Sequence, residues 1–102
     1  MAFESYIKKS IEEIENKNFS EALKYIHLAM LEDHTSPKPH NLIGIIAELN
    51  RNLLLAEKHY RAAYALDPTF KACWINLERI TNFYYESNPK AIAFDDNNLY
   101  RF

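Results

Sequence analysis

The sequence predicts an all-α protein, an array of about five helices folded as antiparallel hairpins and followed by a C-terminal tail. Three observations predict it. Apolar residues recur at steps of three and four along most of the chain, the spacing of one face of a 3.6-residue helix. Only one glycine, Gly44, stands among 102 residues, too few for the Gly-rich turns of small β-domains. The chain also matches itself at an offset of 34 residues, with Ala22 on Ala56, Ile26 on Tyr60, Ala29 on Ala63 and His40 on Trp74, the period of a helix–turn–helix unit stacked on copies of itself.

Each element follows in order. Phe3, Ile7, Ile11 and Ile14 form one apolar stripe, and Asn16-Lys17-Asn18 interrupts it. Asn18 and Glu21 have the spacing of a capping box, in which the Asn accepts an orphan backbone N–H and the Glu reaches back. A second helix then runs to about Asp33, with Phe19, Ala22, Leu23, Ile26, Ala29 and Met30 inward. The segment His34 to Pro39 holds two prolines, tolerated only in a first helical turn, so a third helix starts there and runs to Asn50. A fourth covers Leu53 to Leu66 and carries Glu57 and Arg61 in the favourable i,i+4 order. Asp67-Pro68-Thr69 breaks the chain again, and a fifth helix is expected from Phe70 to Glu86. Ser87-Asn88-Pro89 ends it, and Lys90 to Phe102 has no clear period. The expected organisation is a helical domain over 1–86, with repeats at about 3–36 and 37–70 and a half-repeat at 71–86, then a tail over 87–102.

The residues His40, Leu42, Gly44, Ala47, Ala56, Tyr60, Ala63 and Asp67-Pro68 resemble one nearly complete tetratricopeptide repeat, and Trp74 and Leu77 open a third in the same register. The resemblance covers about three quarters of the chain, fades at both ends, and suggests a small protein of the bacterial type. It implies a superhelical array in which Gly44 lies where two helices approach closely. Two departures accompany it. The isoleucine stripe of the first helix is out of step with the family pattern, which a one-residue shift and a shorter following turn would restore. The third repeat lacks its second helix, so the fifth helix stands as the terminal cap that stacked repeats need.

Composition removes several functions. Twelve basic against fourteen acidic residues leave a net charge of −2, without the basic excess that neutralises a phosphate backbone, so no nucleic-acid partner is expected. The absence of Gly-rich loops speaks against kinases, P-loop NTPases and dinucleotide enzymes. No apolar run approaches the roughly 20 residues of a membrane span, so neither a membrane partner nor a leader is expected and the cytoplasm is the expected location. One cysteine, Cys73, agrees with a reducing compartment.

Chemistry-bearing residues offer no catalytic or metal constellation. His27, His34, His40 and His59 lack ligand spacing, Cys73 is expected to be an inert packing thiol, and Asp95-Asp96 is expected to be a solvated pair. No enzyme activity, metal or cofactor is assigned. The resemblance instead implies a concave groove, lined by Lys38, Asn41, Leu42, Ile45, Glu48 and Leu49, then Ala72, Ile75, Asn76, Arg79, Asn82 and Phe83, that holds a protein or peptide partner. Asn41, Ile45, Ile75, Arg79 and Phe83 are the candidate binding residues, with burial of Ile45 between neighbouring helices as the plainer reading. The carboxylate clamp with which some family members capture chaperone tails is missing: the corresponding places hold Ile7 and Ile11 (or Lys8 and Glu12 after the shift), Leu42, and Ala72 and Asn76. The tail, with Phe94, Leu99, Tyr100 and Phe102, is expected to dock on its own fifth helix or on another subunit, covering Ile75, Phe83 or Tyr84, and the alternative function is a homodimer formed through the last helix and the tail. A tail without fixed structure is the plain reading beside it.

Overall fold

The computed structural model describes residues 2–96. Among them are five α-helices: α1 (Ala2–Glu15), α2 (Phe19–Glu32), α3 (Lys38–Leu49), α4 (Leu53–Leu66) and α5 (Lys71–Ile80), followed by a 3-10 turn at Pro89–Ala91. α1 packs on α2 and α3 on α4 as hairpins, α4 packs on α5, and α1 and α2 both reach α3. The fold is a helix-hairpin array.

The 34-residue period is written into the backbone as well as the side chains. Lys17 and Arg51 are the two non-glycine residues with positive φ among the described residues, at 62° and 65°. After each of them the chain closes the same pair of bonds: Lys17 N–H to Ile14 O and Asn18 N–H to Glu13 O, Arg51 N–H to Glu48 O and Asn52 N–H to Ala47 O. This is the Schellman closure of a helix C-terminus, which normally prefers glycine at the left-handed position. The second break repeats too. Asp33 and Asp67 end α2 and α4 with φ, ψ of −153°, 98° and −154°, 97°. Each uses Oδ1 to accept from the backbone N–H and the hydroxyl of the Thr two residues on. Those bonds hold both carboxyls below the usual carboxylate range.

Exact repetition removes the register shift expected in α1. The turns 16–18 and 50–52 have equal length, and Ser10 is buried at the place Gly44 takes in α3. Ile7, Ile11 and Ile14 are nevertheless in the core. They hold the places of Asn41, Ile45 and Glu48, so α1 buries a wide face without rotating. Each isoleucine contributes about 1.5–3 kcal/mol by leaving water.

Close packing between the hairpin helices comes from small residues. Ala22, Ile26 and Ala29 on α2 and Ala56, Tyr60 and Ala63 on α4 are fully buried. A Cβ on Gly44 would lie 2.5 Å from Cε1 and 2.6 Å from Cδ1 of Tyr60, so glycine is required there by the ring.

Two further expectations need correction. Asn18 makes no side-chain cap; its Nδ2 donates to Glu13 Oε1 at 3.0 Å, while Glu21 pairs with Lys24. Its counterpart Asn52 does cap, accepting from Leu55 N–H at 3.2 Å. α5 stops at Ile80 rather than at Glu86: the Asn82 side chain accepts from Tyr84 N–H, a local turn that competes with helix, and Tyr85 is drawn to α3. The tail docks on its own chain, one of the two placements expected for it. Ile92 and Phe94 join the same core as α1–α4 and Ile80. Leu99, Tyr100 and Phe102 lie outside the described residues.

Candidate functional site

The α3 and α5 faces expected to line a groove are covered by the chain itself. Residues 92–96 cross there as a strap, extended at Ile92 with ψ of 130° and bent from Phe94 to Asp96. Ile92, Ala93 and Phe94 are buried.

Two asparagines hold the strap by its main chain. Asn76 on α5 accepts from Ala93 N–H with Oδ1 at 2.8 Å and donates from Nδ2 to Ala93 O at 2.7 Å. One side-chain amide thus satisfies both backbone groups of one residue, as a neighbouring strand would. Asn41 on α3 donates from Nδ2 to Ala93 O at 3.1 Å and to Phe94 O at 3.3 Å, and accepts from Asn76 Nδ2 at 3.0 Å. Both asparagines are fully buried, so each unmade bond would cost about 1–3 kcal/mol.

The strap also completes α5. Phe70, at its N-cap, has no side chain that can cap, and Asp96 Oδ1 accepts from Ala72 N–H at 3.0 Å instead. A carboxylate at a helix N-terminus is doubly favoured, by the hydrogen bond and by the helix dipole. Asp96 is exposed, as expected of a solvated carboxylate, and serves as this cap in addition. Ala93 packs with Ala63, Phe70, Ala72 and Cys73. The Cys73 thiol donates to Phe70 O, and burial pushes it up to about 11, leaving it protonated at neutral pH.

A buried charge network braces the asparagine pair from below. Glu48, 2% exposed, receives both guanidinium ends of Arg79, with Nη2 at 2.8 Å from Oε1 and Nη1 on Oε2. It also accepts from the Tyr60 hydroxyl at 2.8 Å and the Tyr85 hydroxyl at 2.9 Å. Arg79 Nη2 reaches Asn76 Oδ1 at 3.1 Å, which orients the amide that grips Ala93. Burial and the Glu48 carboxylate together raise the Tyr60 phenol well above its ordinary value, and Tyr85 moves the same way for the same reasons. Burial works against the charge on Arg79, but the bonds and attraction from Glu48 outweigh it and raise its pKa.

The expected binding residues divide. Asn41 is in direct contact with the strap. Ile45 is buried in the shared core, Ile75 packs beside Ala93, and Arg79 is committed to Glu48. Phe83 is 92% exposed: it lies beyond the end of α5 and is no part of the groove, a correction caused by the early end of that helix. The strap covers neither Phe83 nor Tyr84, which meet each other edge to face at 5.2 Å. Asn76 and Glu48, expected only as groove lining, are the central residues, while Ala93, Asp96 and Tyr85 were missed. Asn41 and Asn76 lie 35 residues apart, one off the sequence period, so the repeat could not pair them. Beside the strap a charged depression of about 330 Å³ remains, lined by Glu4, Lys8, Glu12 and Lys38 among others.

Elsewhere, His40 and His59 stack with Nδ1 atoms 3.1 Å apart, repeating the stack of Tyr6 on Tyr25. Among the described residues no three His, Cys, Asp or Glu side chains are placed to share a metal ion, and no helix is long and apolar enough to cross a membrane. No family model matches the chain, and neither does any curated protein or solved structure.

Proposed function

We propose that this chain is a protein-interaction module of the tetratricopeptide type, without catalytic activity and acting in the cytoplasm. Its concave groove binds an extended segment of a partner protein through main-chain hydrogen bonds from Asn41 and Asn76, and not through a carboxylate clamp. The observation that carries the reading is the strap: the groove already holds a non-helical segment, extended at Ile92, and it does so with two side-chain amides aimed at the backbone. Backbone-directed contacts give affinity for extended chains, and neighbouring pockets give selectivity. The test is selection of displayed peptides on the folded full chain and on an Asn41→Asp variant, which puts a carboxylate oxygen against Ala93 O. Enrichment of extended peptides on the wild type alone sustains the reading, and identical selection on both chains refutes it.

A second reading, a homodimer through the last helix and the segment after it, draws support from Phe83 and Tyr84, which are 92% and 84% exposed. Two such adjacent rings form a natural anchor for association. Light scattering over a concentration range checks it, and a mass that stays at 12.0 kDa removes it.

A further inference from the structure

Resting on the groove reading above, we infer that the strap is a built-in stand-in for the partner, and that the partner is a protein presenting the same chemistry. That chemistry is a non-helical segment, extended just before a small residue gripped at its backbone and bent after it, with an apolar residue on each side of the small one and a carboxylate three residues further on.

Every part of the pattern has a physical source. The hydrogen bonds of Asn41 and Asn76 to the strap go to its backbone atoms, so they select a main chain and not a side chain. The position they grip must be small, because Ala93 is fully buried against Ala63, Phe70, Ala72 and Cys73. Ile92 and Phe94 on either side enter the main core, so both flanks must be apolar. Asp96 supplies the cap that Phe70 cannot give to α5, so a carboxylate belongs at that distance from the gripped residue.

Removing the strap would strand Asn41 and Asn76, both fully buried, and would open the core that Ile92 and Phe94 fill. An empty groove is therefore disfavoured, and the partner must exchange with the strap rather than add to it. The connection back to α5 suits exchange. Residues 81–88 contain no regular helix, Thr81 and Asn82 make local side-chain bonds, Tyr85 reaches Glu48, and Phe83 and Tyr84 stand in solvent. While the strap stays tethered it competes at an effective concentration on the order of millimolar, so an intact chain resists weak partners.

The test separates this inference from the groove reading. A protease recognition sequence inserted between Phe83 and Tyr84 allows the full chain to be cut after folding, turning the strap into a dissociable segment. Labelled peptides are then added, and anisotropy is read together with alkylation of Cys73, the single thiol, which lies under Ala93. A peptide copying residues 89–96 is expected to bind the cut chain at least about 100-fold more tightly than the uncut chain, and to keep Cys73 protected. The same peptide carrying Ala93→Leu or Asp96→Asn is expected to lose about tenfold or more. If all three peptides bind equally, the inferred pattern is wrong while the groove reading stands. If no extended peptide binds the cut, folded chain, the groove reading falls as well. Circular dichroism shows whether cutting unfolds the chain, in which case the strap is a fixed part of the core and the inference fails. A dimer of the uncut chain held by exchanged straps would assign the groove to a second copy and overturn it.

Discussion

Substituting Gly44 by alanine tests the packing that holds the second hairpin together. The added Cβ would lie 2.5 Å and 2.6 Å from two carbons of the Tyr60 ring and 3.2 Å from a third, well inside ordinary contact. The ring cannot swing aside freely, because it is fully buried and its hydroxyl is tied to Glu48 at 2.8 Å. Overpacking of this kind costs about 1–3 kcal/mol, and the pinned hydroxyl puts the cost at the upper end, about 3 kcal/mol. Replacing glycine inside a helix returns about 1 kcal/mol. The expected net loss is about 2 kcal/mol, which for a domain of this size lowers Tm by about 8–16 °C. Thermal and urea denaturation followed by circular dichroism measure it. The first repeat supplies the control, since it places Ser10 and Ile26 where the second has Gly44 and Tyr60. In a Tyr60→Ile background the penalty of Gly44→Ala is expected to vanish, a coupling of about 2–3 kcal/mol in a double-mutant cycle. An unchanged or raised Tm in the single variant would show that the ring has room to move and would refute the close-approach argument.

Other consequences can be checked in the same way. Lys17→Gly and Arg51→Gly, which relieve left-handed backbone at 62° and 65°, are each expected to stabilise the fold by about 0.5–1 kcal/mol, read as a higher urea midpoint; no gain would mean that those side chains hold the turns in some other way. Arg79→Met leaves the Glu48 carboxylate buried with two phenols alone and is expected to cost about 3 kcal/mol, most of which a Glu48→Leu partner substitution recovers; an equally large loss in the double variant would contradict a charge-pairing role. Burial lowers the pKa of both His40 and His59 below the ordinary 6.5. The unfolded chain therefore takes up protons first, and stability is expected to fall as pH drops below about 6.5 until the folded rings titrate. His40→Tyr with His59→Tyr, copying the Tyr6–Tyr25 stack, should flatten that acid limb in pH-dependent melts.

Local patterning accounts for most of the architecture. The isoleucine stripe at Ile7, Ile11 and Ile14, the alanines on α2 and α4, and the breaks at Pro37, Pro39 and Pro68 act over a few residues. The 34-residue offset needs nothing but comparison of the chain with itself. Gly44 was legible as a close approach through the resemblance to a tetratricopeptide repeat. The end of α5 was not legible: Ile80 and Tyr84 continue the helical spacing, and the competing turn at Asn82 and the pull of Glu48 on Tyr85 act against it. The register of α1 was misread because an isoleucine at the place of Asn41 is apolar for a different reason, packing toward α3 where Asn41 faces the strap.

The sequence by itself determines the helices, their period and the small residues at their crossings, because hydrophobic spacing and steric fit act through near neighbours along the chain. Only the tertiary structure decides that the groove is filled from within. Asn41, Asn76 and the backbone of Ala93 come together from three distant segments. Their bonds run to main-chain atoms, which every residue carries and which therefore leave no signature in the order of side chains.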